Sequence, residues 1–293
     1  MKEEGYHLET SGPSSRSSFV NRSQARRVTL CGIPVDDLSE DETVAAIDRL
    51  IASGAAHHMT VVNAAKIVAA SRDEELRQAI LESSLVTADG MSVVWASRLL
   101  GARLRGRVTG IDMFERLVEH AAGRGLRVYL LGAREPSVRG TVERLIARHP
   151  SLIVAGWRDG YFAPNESETI AREIRESRAD ILFVARGTPA QEKWIRAYIK
   201  ATGARFALGV GGSFDHVSGL ARRAPVFLQR AGLEWLYRLA REPRRLWRRY
   251  LVGNTTFIWL VAKQAAMMRF GKRSLSDAQL PEEAENRGAQ NSN

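Results

Sequence analysis

The sequence predicts an α/β fold, with a mostly parallel, Rossmann-like sheet covered by helices on both faces, followed by a C-terminal helical appendage. From residue 28 to residue 219, short apolar runs of strand length alternate with segments of helical periodicity. Most of these runs are apolar throughout, which is typical of parallel strands buried on both faces. After residue 219 the pattern changes to arginines interleaved with large apolar residues.

Seven apolar runs predict strands. They span residues 28–35, 59–62, 85–88, 127–132, 152–156, 180–185 and 206–210. The first helix is expected to start at Ser39, because Glu42 completes a capping box with it. Further helices are expected at 73–83, 137–148 and 166–178. Two more are expected without fixed bounds, one running through Val93, Val94, Ala96 and Leu100 and one containing Phe114, Leu117 and Val118. Pro189 suits the first turn of a last helix that carries Gln191.

The composition limits the class of protein. The chain has 293 residues, 44% of them hydrophobic, which is enough for a large core. Its formal net charge of +10 favours an anionic partner, whether nucleic acid, membrane lipid or a phosphorylated substrate. A single cysteine, Cys31, excludes an internal disulfide and favours a reducing compartment. Its apolar neighbours predict that Cys31 is a small core residue.

Four segments follow from these patterns. Residues 1–27 are polar and serine-rich and predict a disordered segment without the apolar core of a signal peptide. Residues 28–219 form the α/β core, residues 220–270 an arginine-rich membrane-associating appendage, and residues 271–293 a disordered tail. No run reaches the ~18 apolar residues that a spanning helix needs, so membrane contact is expected to be peripheral.

Polar residues stand at four predicted strand ends. They are Asn63, Asp89, the turn from Arg186 to Gln191, and Gly211-Gly212 with Asp215. Because ligands of open α/β sheets bind outside the carboxyl ends of the strands, these ends predict one pocket. The pocket by itself names no reaction.

Several kinds of site lack their sequence pattern. There is no Walker A motif, and the glycines at 209–212 lack the third glycine of a dinucleotide fingerprint. The Asp-x-Asp motif, with which many sugar transferases bind a divalent metal, does not occur, and the six histidines are scattered. We therefore expect no metal site, no cofactor and no Ser/His/Asp triad.

Eight short motifs occur in a characteristic order. They are Thr87-Ala88-Asp89-Gly90, Arg107-Val108-Thr109-Gly110, Gly160-Tyr161-Phe162, Gly187-Thr188-Pro189-Ala190-Gln191-Glu192-Lys193-Trp194, Gly209-Val210-Gly211-Gly212-Ser213-Phe214-Asp215, Arg223-Ala224-Pro225, Gly232-Leu233-Glu234-Trp235-Leu236-Tyr237-Arg238 and Glu242-Pro243-Arg244-Arg245. Together, over roughly residues 28–260, they resemble the WecG/TagA/CpsF family of bacterial glycosyltransferases.

The resemblance implies a reaction. Such enzymes move a sugar, often N-acetylmannosamine, from a UDP donor to a sugar linked to polyprenyl diphosphate, with inversion at the anomeric carbon. The products feed teichoic acid, common antigen, capsule or exopolysaccharide synthesis. The resemblance also implies a cytoplasmic enzyme, peripheral on the inner face of the bacterial membrane and independent of metal, and it allows a homo-oligomer.

The resemblance also assigns roles to site residues. Asp89 matches the proposed catalytic base, which takes the proton of the acceptor hydroxyl; as an alternative it caps the next helix. Arg107 matches a position near the diphosphate, or else it is a solvated loop arginine. The remaining expected substrate-binding residues are Asn63, Gln191, Gly211, Gly212 and Asp215. For Gln191 the alternative is an exposed helix face, and for Asp215 a cap of the next turn.

Two positions depart from many relatives. Val61 stands where they carry a threonine, which removes a polar contact at the first strand end. Ala190 stands where they carry a lysine, which removes one positive charge near the site. Both departures leave the identity of the donor open.

The C-terminal segment combines two kinds of side chain. Between residues 222 and 250 there are nine arginines and two acids, with tryptophan and leucine between them. The arginines expected to contact anionic lipid or the lipid diphosphate are Arg238, Arg241, Arg244, Arg245, Arg248 and Arg249. Nucleic-acid binding is the rival interpretation of such a basic segment, but no helix-turn-helix, RRM or zinc-finger pattern supports it. The third interpretation is a nucleotide-binding protein that has no catalytic activity.

Overall fold

A computed structural model of the protein describes residues 26–221, 224–225, 227–228, 234–241 and 243–277. Of these, residues 238, 245, 246, 248–252 and 270–277 are described by their backbone alone. The strands are β1 Arg27–Leu30, β2 Ile33–Asp36, β3 His57–Val62, β4 Leu85–Ala88, β5 Arg127–Gly132, β6 Ile153–Arg158, β7 Ile181–Ala185 and β8 Phe206–Gly209. The helices are α1 Glu40–Ala52, α2 Ala64–Ala70, α3 Glu74–Leu81, α4 Met91–Leu99, α5 Gly110–Arg124, α6 Glu135–Arg148, α7 Ser167–Ser177, α8 Ala190–Thr202 and α9 Ser213–Val217. Two more helices follow, α10 Glu234–Arg241 and α11 Pro243–Asp277.

The centre of the fold is a parallel sheet of six strands in the order β4-β3-β8-β7-β5-β6. This arrangement confirms the predicted α/β class with a parallel sheet and surrounding helices. Strands β3, β4, β7 and β8 are buried along their whole length, as their continuous apolar runs predicted. All six strands point the same way, so their carboxyl ends meet at one edge.

Side chains of alternate strand residues fill two cores. On β7, Phe183 packs edge-on against Phe114 of α5, with ring centroids 4.7 Å apart. Leu182 and Val184 point to the other face, where they pack with the apolar residues of α7 and α8. This alternation follows from the period of two in a β-strand and explains why helices are needed on both faces.

The first predicted strand is a hairpin, not a single strand. β1 and β2 pair antiparallel around Cys31 and Gly32, which both have positive φ, +50° and +77°. A two-residue turn of this kind matches the twist of an antiparallel pair. Cys31 is therefore a half-buried turn residue, which packs against the edge of the core and is not a fully buried core residue as expected.

The chain ends of the core differ from their predicted bounds. Arg27, expected to be the last residue of a disordered segment, is in β1 and pairs with Asp36. At the other end, α11 continues as a helix to Asp277, into the region 271–293 that was expected to be a disordered tail. Residues 1–25 and 278–293 lie outside the described residues, so the rest of both expectations stays a prediction.

The middle of α11 packs on the α/β body. Phe257 and Val261 are buried in the core that α2, α4 and the hairpin share. Gln264 accepts a hydrogen bond from the Cys31 N–H at 2.7 Å and donates one to the Thr29 carbonyl at 2.9 Å. The expected appendage is thus anchored to the fold through its last helix. Among the described residues, no helix is both long enough and apolar enough to cross a membrane.

Candidate active site

Asp89 directly follows β4 at the carboxyl edge of the sheet. Its backbone N–H donates to the Val62 carbonyl at 2.9 Å, which ties it to β3. Its Oδ1 accepts a hydrogen bond from the Gly110 N–H, at the first residue of α5, at 3.3 Å. The next helix is instead capped by Gly90, without a side-chain bond, so Asp89 is not its cap. The carboxylate is half-buried and held by one backbone donor.

Asn63 follows β3, which pairs with β4, so it stands at the neighbouring strand end. A methyl group placed on Gly90 would lie 3.6 Å from Asn63 Cβ, so the two strand ends are in contact. Asn63 also caps α2, because its Oδ1 accepts from the Lys66 N–H at 3.0 Å. Val61 packs beneath Gly110, 3.3 Å from where a Cβ of that glycine would be. Val61 therefore lies close to the residue whose N–H binds Asp89, and it is apolar.

Arg107 precedes α5 and faces the C-terminal region. Its Nη1 lies 3.9 Å from Glu234 Oε2, at the first residue of α10, and both side chains are largely buried. This contact makes the alternative of a solvated loop arginine wrong. It also brings the described part of the arginine-rich segment to the carboxyl edge of the sheet.

Gln191 is inside the protein, at the start of α8. Only 2% of it is exposed, so the alternative of an exposed helix face is wrong. Its Oε1 accepts from the Gly211 N–H at 3.0 Å, and its Nε2 donates to Glu192 Oε1 at 2.8 Å. Gly209 leaves room for this side chain, because a Cβ there would lie 2.6 Å from Gln191 Nε2. Gln191 thus fixes the glycine turn that follows β8.

That turn carries three further candidates. Gly211 has φ +55°, which favours glycine, and Gly212 caps the short helix α9. Asp215 lies on α9 and accepts a hydrogen bond from Ser137 Oγ, on α6, at 2.7 Å. Asp215 therefore links α9 to α6 rather than capping its own turn.

Two residues of this network were given no role by the sequence interpretation, although Glu192 stands in one of the eight motifs. Lys66 on α2 and Glu192 on α8 form a buried ion pair, with 2.7 Å between Nζ and Oε1. The other oxygen, Glu192 Oε2, is buried and has no hydrogen-bond partner among the described residues. A lysine in a short alanine-rich helix gives no sequence signal of such a role.

The starts of helices surround the site. Helices α2, α4, α5 and α8 each begin within three residues of a candidate position. Their N–H groups and the positive ends of their dipoles favour a bound anion. No cluster of three or more His, Cys, Asp or Glu side chains suited to a metal occurs in the described part of the chain.

The arginines of the C-terminal segment lie on the last two helices. Arg241 and Arg244 are exposed at the junction of α10 and α11, and the same two helices carry the exposed aromatic rings of Trp235 and Trp247. Arg238, Arg245, Arg248 and Arg249 are on the same helices, but their side chains are outside the described residues.

Comparison with known proteins identifies a family and, among its matches, the two relatives given below. Residues 28–270 match the model described as "Glycosyl transferase WecG/TagA/CpsF family". A protein of Bacillus subtilis (strain 168) is 36% identical over 193 residues, which is 66% of this chain and 74% of the relative. One of Bacillus spizizenii is 39% identical over 175 residues, 59% of this chain and 67% of the relative. Both bear the name N-acetylglucosaminyldiphosphoundecaprenol N-acetyl-beta-D-mannosaminyltransferase.

Proposed function

The chain belongs to the WecG/TagA/CpsF family of glycosyltransferases, and from this premise we propose its substrates. The donor is a UDP-sugar, and the transferred group is a hexose or N-acetylhexosamine similar to N-acetylmannosamine. The acceptor is a sugar linked to polyprenyl diphosphate. The names of the two Bacillus relatives support this choice, since both specify an N-acetylmannosaminyl group and a diphosphoundecaprenol acceptor. The product then enters cell-surface polysaccharide synthesis.

The observation that carries the proposal is the carboxylate of Asp89 at the carboxyl edge. Transfer with inversion needs a base that removes the proton of the acceptor hydroxyl as its oxygen attacks the anomeric carbon. Asp89 is half-buried, and its Oδ1 accepts a hydrogen bond from the Gly110 N–H. Its place after β4 lets it act on a substrate bound across the strand ends.

Cationic and N–H donors stabilise the leaving UDP in this proposal. Its developing negative charge is met by Arg107 and by the N–H groups at the helix starts. The nucleotide is held beyond Gln191, by Gly211, Gly212 and Asp215. The Asp215 carboxylate accepts a hydrogen bond from the ribose or the base. No step of this scheme requires a metal.

The enzyme works at the cytoplasmic face of the cell membrane, where the lipid-linked acceptor is available. Exposed Arg241 and Arg244 suit anionic headgroups, and exposed Trp235, Leu236 and Trp247 suit the interface. The glycine turn and arginine segment are thus two parts of one site, one for the nucleotide and one for the lipid.

The test is a transfer assay with a panel of UDP-sugars, a short-chain polyprenyl-diphosphate-sugar acceptor, and EDTA. We expect product from one donor with the wild type and none with Asp89→Asn, which should still bind UDP. Asp48→Asn is the matched control, because that carboxylate pairs with His120 on the surface of α1. Normal turnover by Asp89→Asn would exclude Asp89 as the catalytic base. UDP binding without transfer from any donor would favour a non-catalytic nucleotide-binding protein, and binding to DNA alone would favour the nucleic-acid alternative.

A further inference from the structure

Arg186 lies at the carboxyl end of β7 with its guanidinium stacked on an aromatic ring. Its Cζ is 3.9 Å from the centroid of the Phe162 ring. Phe162 is itself supported by Trp194 of α8, with ring centroids 6.4 Å apart. Stacking of this kind holds the guanidinium plane in place while its N–H groups at the edge remain able to donate.

This half-buried cation has no carboxylate partner in the described residues. Burial alone lowers the pKa of Arg186 below its usual value, and no neighbouring charge opposes that effect. The contrast with Arg158 is direct, since that arginine is also half-buried but faces the two oxygens of Glu173 at 3.0 and 2.9 Å. Because a desolvated charge without a counter-ion costs free energy, its retention at a ligand edge points to an anion that arrives with the substrate.

The loop after β6 fixes where this cation points. Gly160 packs against it so closely that a Cβ there would lie 3.3 Å from Arg186 Cγ and 2.9 Å from the Gly132 Cα. Arg186 therefore leans toward β5 and β6, away from β4. Arg134 is nearby at the end of β5, where a hydrogen bond with Tyr161 raises its pKa. Arg186 and Arg134 thus bring two cations to this side of the site. The nearby acids are Asp215 and Asp159, whose Oδ1 accepts from the Tyr161 N–H at 2.8 Å.

Distance along the sheet decides which anion fits. In the order β4-β3-β8-β7-β5-β6, three strand spacings separate the end of β7 from Asp89, about 14 Å between backbones. A donor whose anomeric carbon is at Asp89 can reach Arg186 only with groups beyond its sugar ring. Those groups are the phosphates and the nucleoside, whereas a carboxylate on the sugar itself would remain near Asp89.

We propose that Arg186 binds the phosphate of the donor nearest the nucleoside, as a second cation besides Arg107. The inference rests on the proposed function, and it adds a residue that the resemblance did not assign. It also accounts for Ala190, because Arg186 supplies a positive charge in the turn from which the lysine of many relatives is missing. A guanidinium suits this task, since its fork of N–H groups can bind two phosphate oxygens at once.

The test is isothermal titration of the full chain with UDP, UMP and uridine. We expect Arg186→Met to weaken UDP and UMP about tenfold or more, as for loss of a charge-assisted hydrogen bond, and to leave uridine unchanged. Arg186→Lys should recover part of the loss, because it keeps the charge without the fork. Arg172→Met is the control, since it removes one exposed charge from α7. Melting temperatures report whether each variant folds.

Each other outcome has a distinct meaning. Equal UDP affinity for wild type and Arg186→Met would overturn the inference and leave the proposed function standing. An equal loss for uridine would assign Arg186 to the nucleoside or to the fold, and would overturn it too. A loss confined to UDP-glucuronate, with UDP-glucose and UDP unaffected, would assign it to a sugar carboxylate instead. A wild type that binds no uridine nucleotide would remove the proposed donor first.

Discussion

Lys66 and Glu192 form a buried ion pair that joins two helices at the edge of the site. Lys66 Nζ is 2.7 Å from Glu192 Oε1, and the two side chains are 6% and 3% exposed. The same oxygen accepts from Gln191 Nε2, and Gln191 Oε1 accepts from the Gly211 N–H. Since Glu192 can only accept, it fixes which end of the Gln191 amide faces the glycine turn. The pair therefore positions a turn that neither residue touches.

Breaking this pair from one side should be costly. Lys66→Met leaves a buried carboxylate without its cation, and we expect it to lower the free energy of unfolding by about 3–5 kcal/mol. The double variant Lys66→Met/Glu192→Gln should lose clearly less than the sum of the two single variants, because no unpaired charge remains. Urea unfolding of all four proteins measures this coupling. Additive losses would show that the pair contributes no interaction of its own.

Gly209→Ala tests the position of Gln191 without altering a charge. Its new Cβ would lie 2.6 Å from Gln191 Nε2, so the amide must move away from the Gly211 N–H. We expect a stability loss of about 1–3 kcal/mol from overpacking, together with weaker UDP binding. Gly123→Ala on α5 is the matched control, because its Cβ would meet nothing within 4 Å. Wild-type UDP affinity in a folded Gly209→Ala protein would separate Gln191 from nucleotide binding.

Glu42 gives a pH dependence of stability with a defined sign. The hydrogen bond from Arg105, helped by the Ser39 N–H, lowers the pKa of Glu42 from 4.5 to about 2. A carboxyl with a depressed folded-state pKa stabilises the protein above its unfolded pKa and loses that effect as the pH falls toward the folded value. We expect the stability difference between wild type and Glu42→Gln to be constant above about pH 5 and to vanish between pH 4.5 and 2. Arg105→Gln should remove most of this dependence, and an unchanged profile would assign it to Ser39.

Much of the site could be predicted because the ends of buried strands can be recognised in the sequence. Asp89, Asn63 and the glycine turn each follow a continuous apolar run, and parallel strands bring such ends to one edge. The same reasoning failed for Lys66 and Glu192, because their pairing depends on how α2 and α8 pack across 126 residues of chain. It also failed for the hairpin, since Cys31-Gly32 is not one of the dipeptides that mark two-residue turns.

The composition of the appendage could be predicted from the sequence, but its packing against the core could not. Its basic and aromatic residues are apparent in the sequence, and the exposed Trp235 and Trp247 agree with that pattern. Phe257 and Val261 belong to the same segment, yet they are buried in the core with the hairpin. Helical periodicity alone does not show which neighbour covers a helix face. The single predicted boundary at residue 219 therefore placed the exposed arginine- and tryptophan-rich part and the buried part around Phe257 and Val261 in one appendage.

Because the C-terminal segment has an exposed part and a part buried in the core, membrane binding should be tested with point substitutions and not with a truncation. Removing everything after residue 219 would also remove Phe257 and Val261 from the core, so lost binding could simply report an unfolded protein. Arg241→Gln/Arg244→Gln changes only exposed side chains. We expect it to weaken binding to anionic vesicles, with about 1 kcal/mol lost per arginine, and to leave melting unchanged. Arg72→Gln/Arg172→Gln, which removes two exposed charges from the α/β body, should bind like wild type. If both pairs weaken binding equally, the attraction comes from overall net charge, and the arginine-rich segment is not the docking surface.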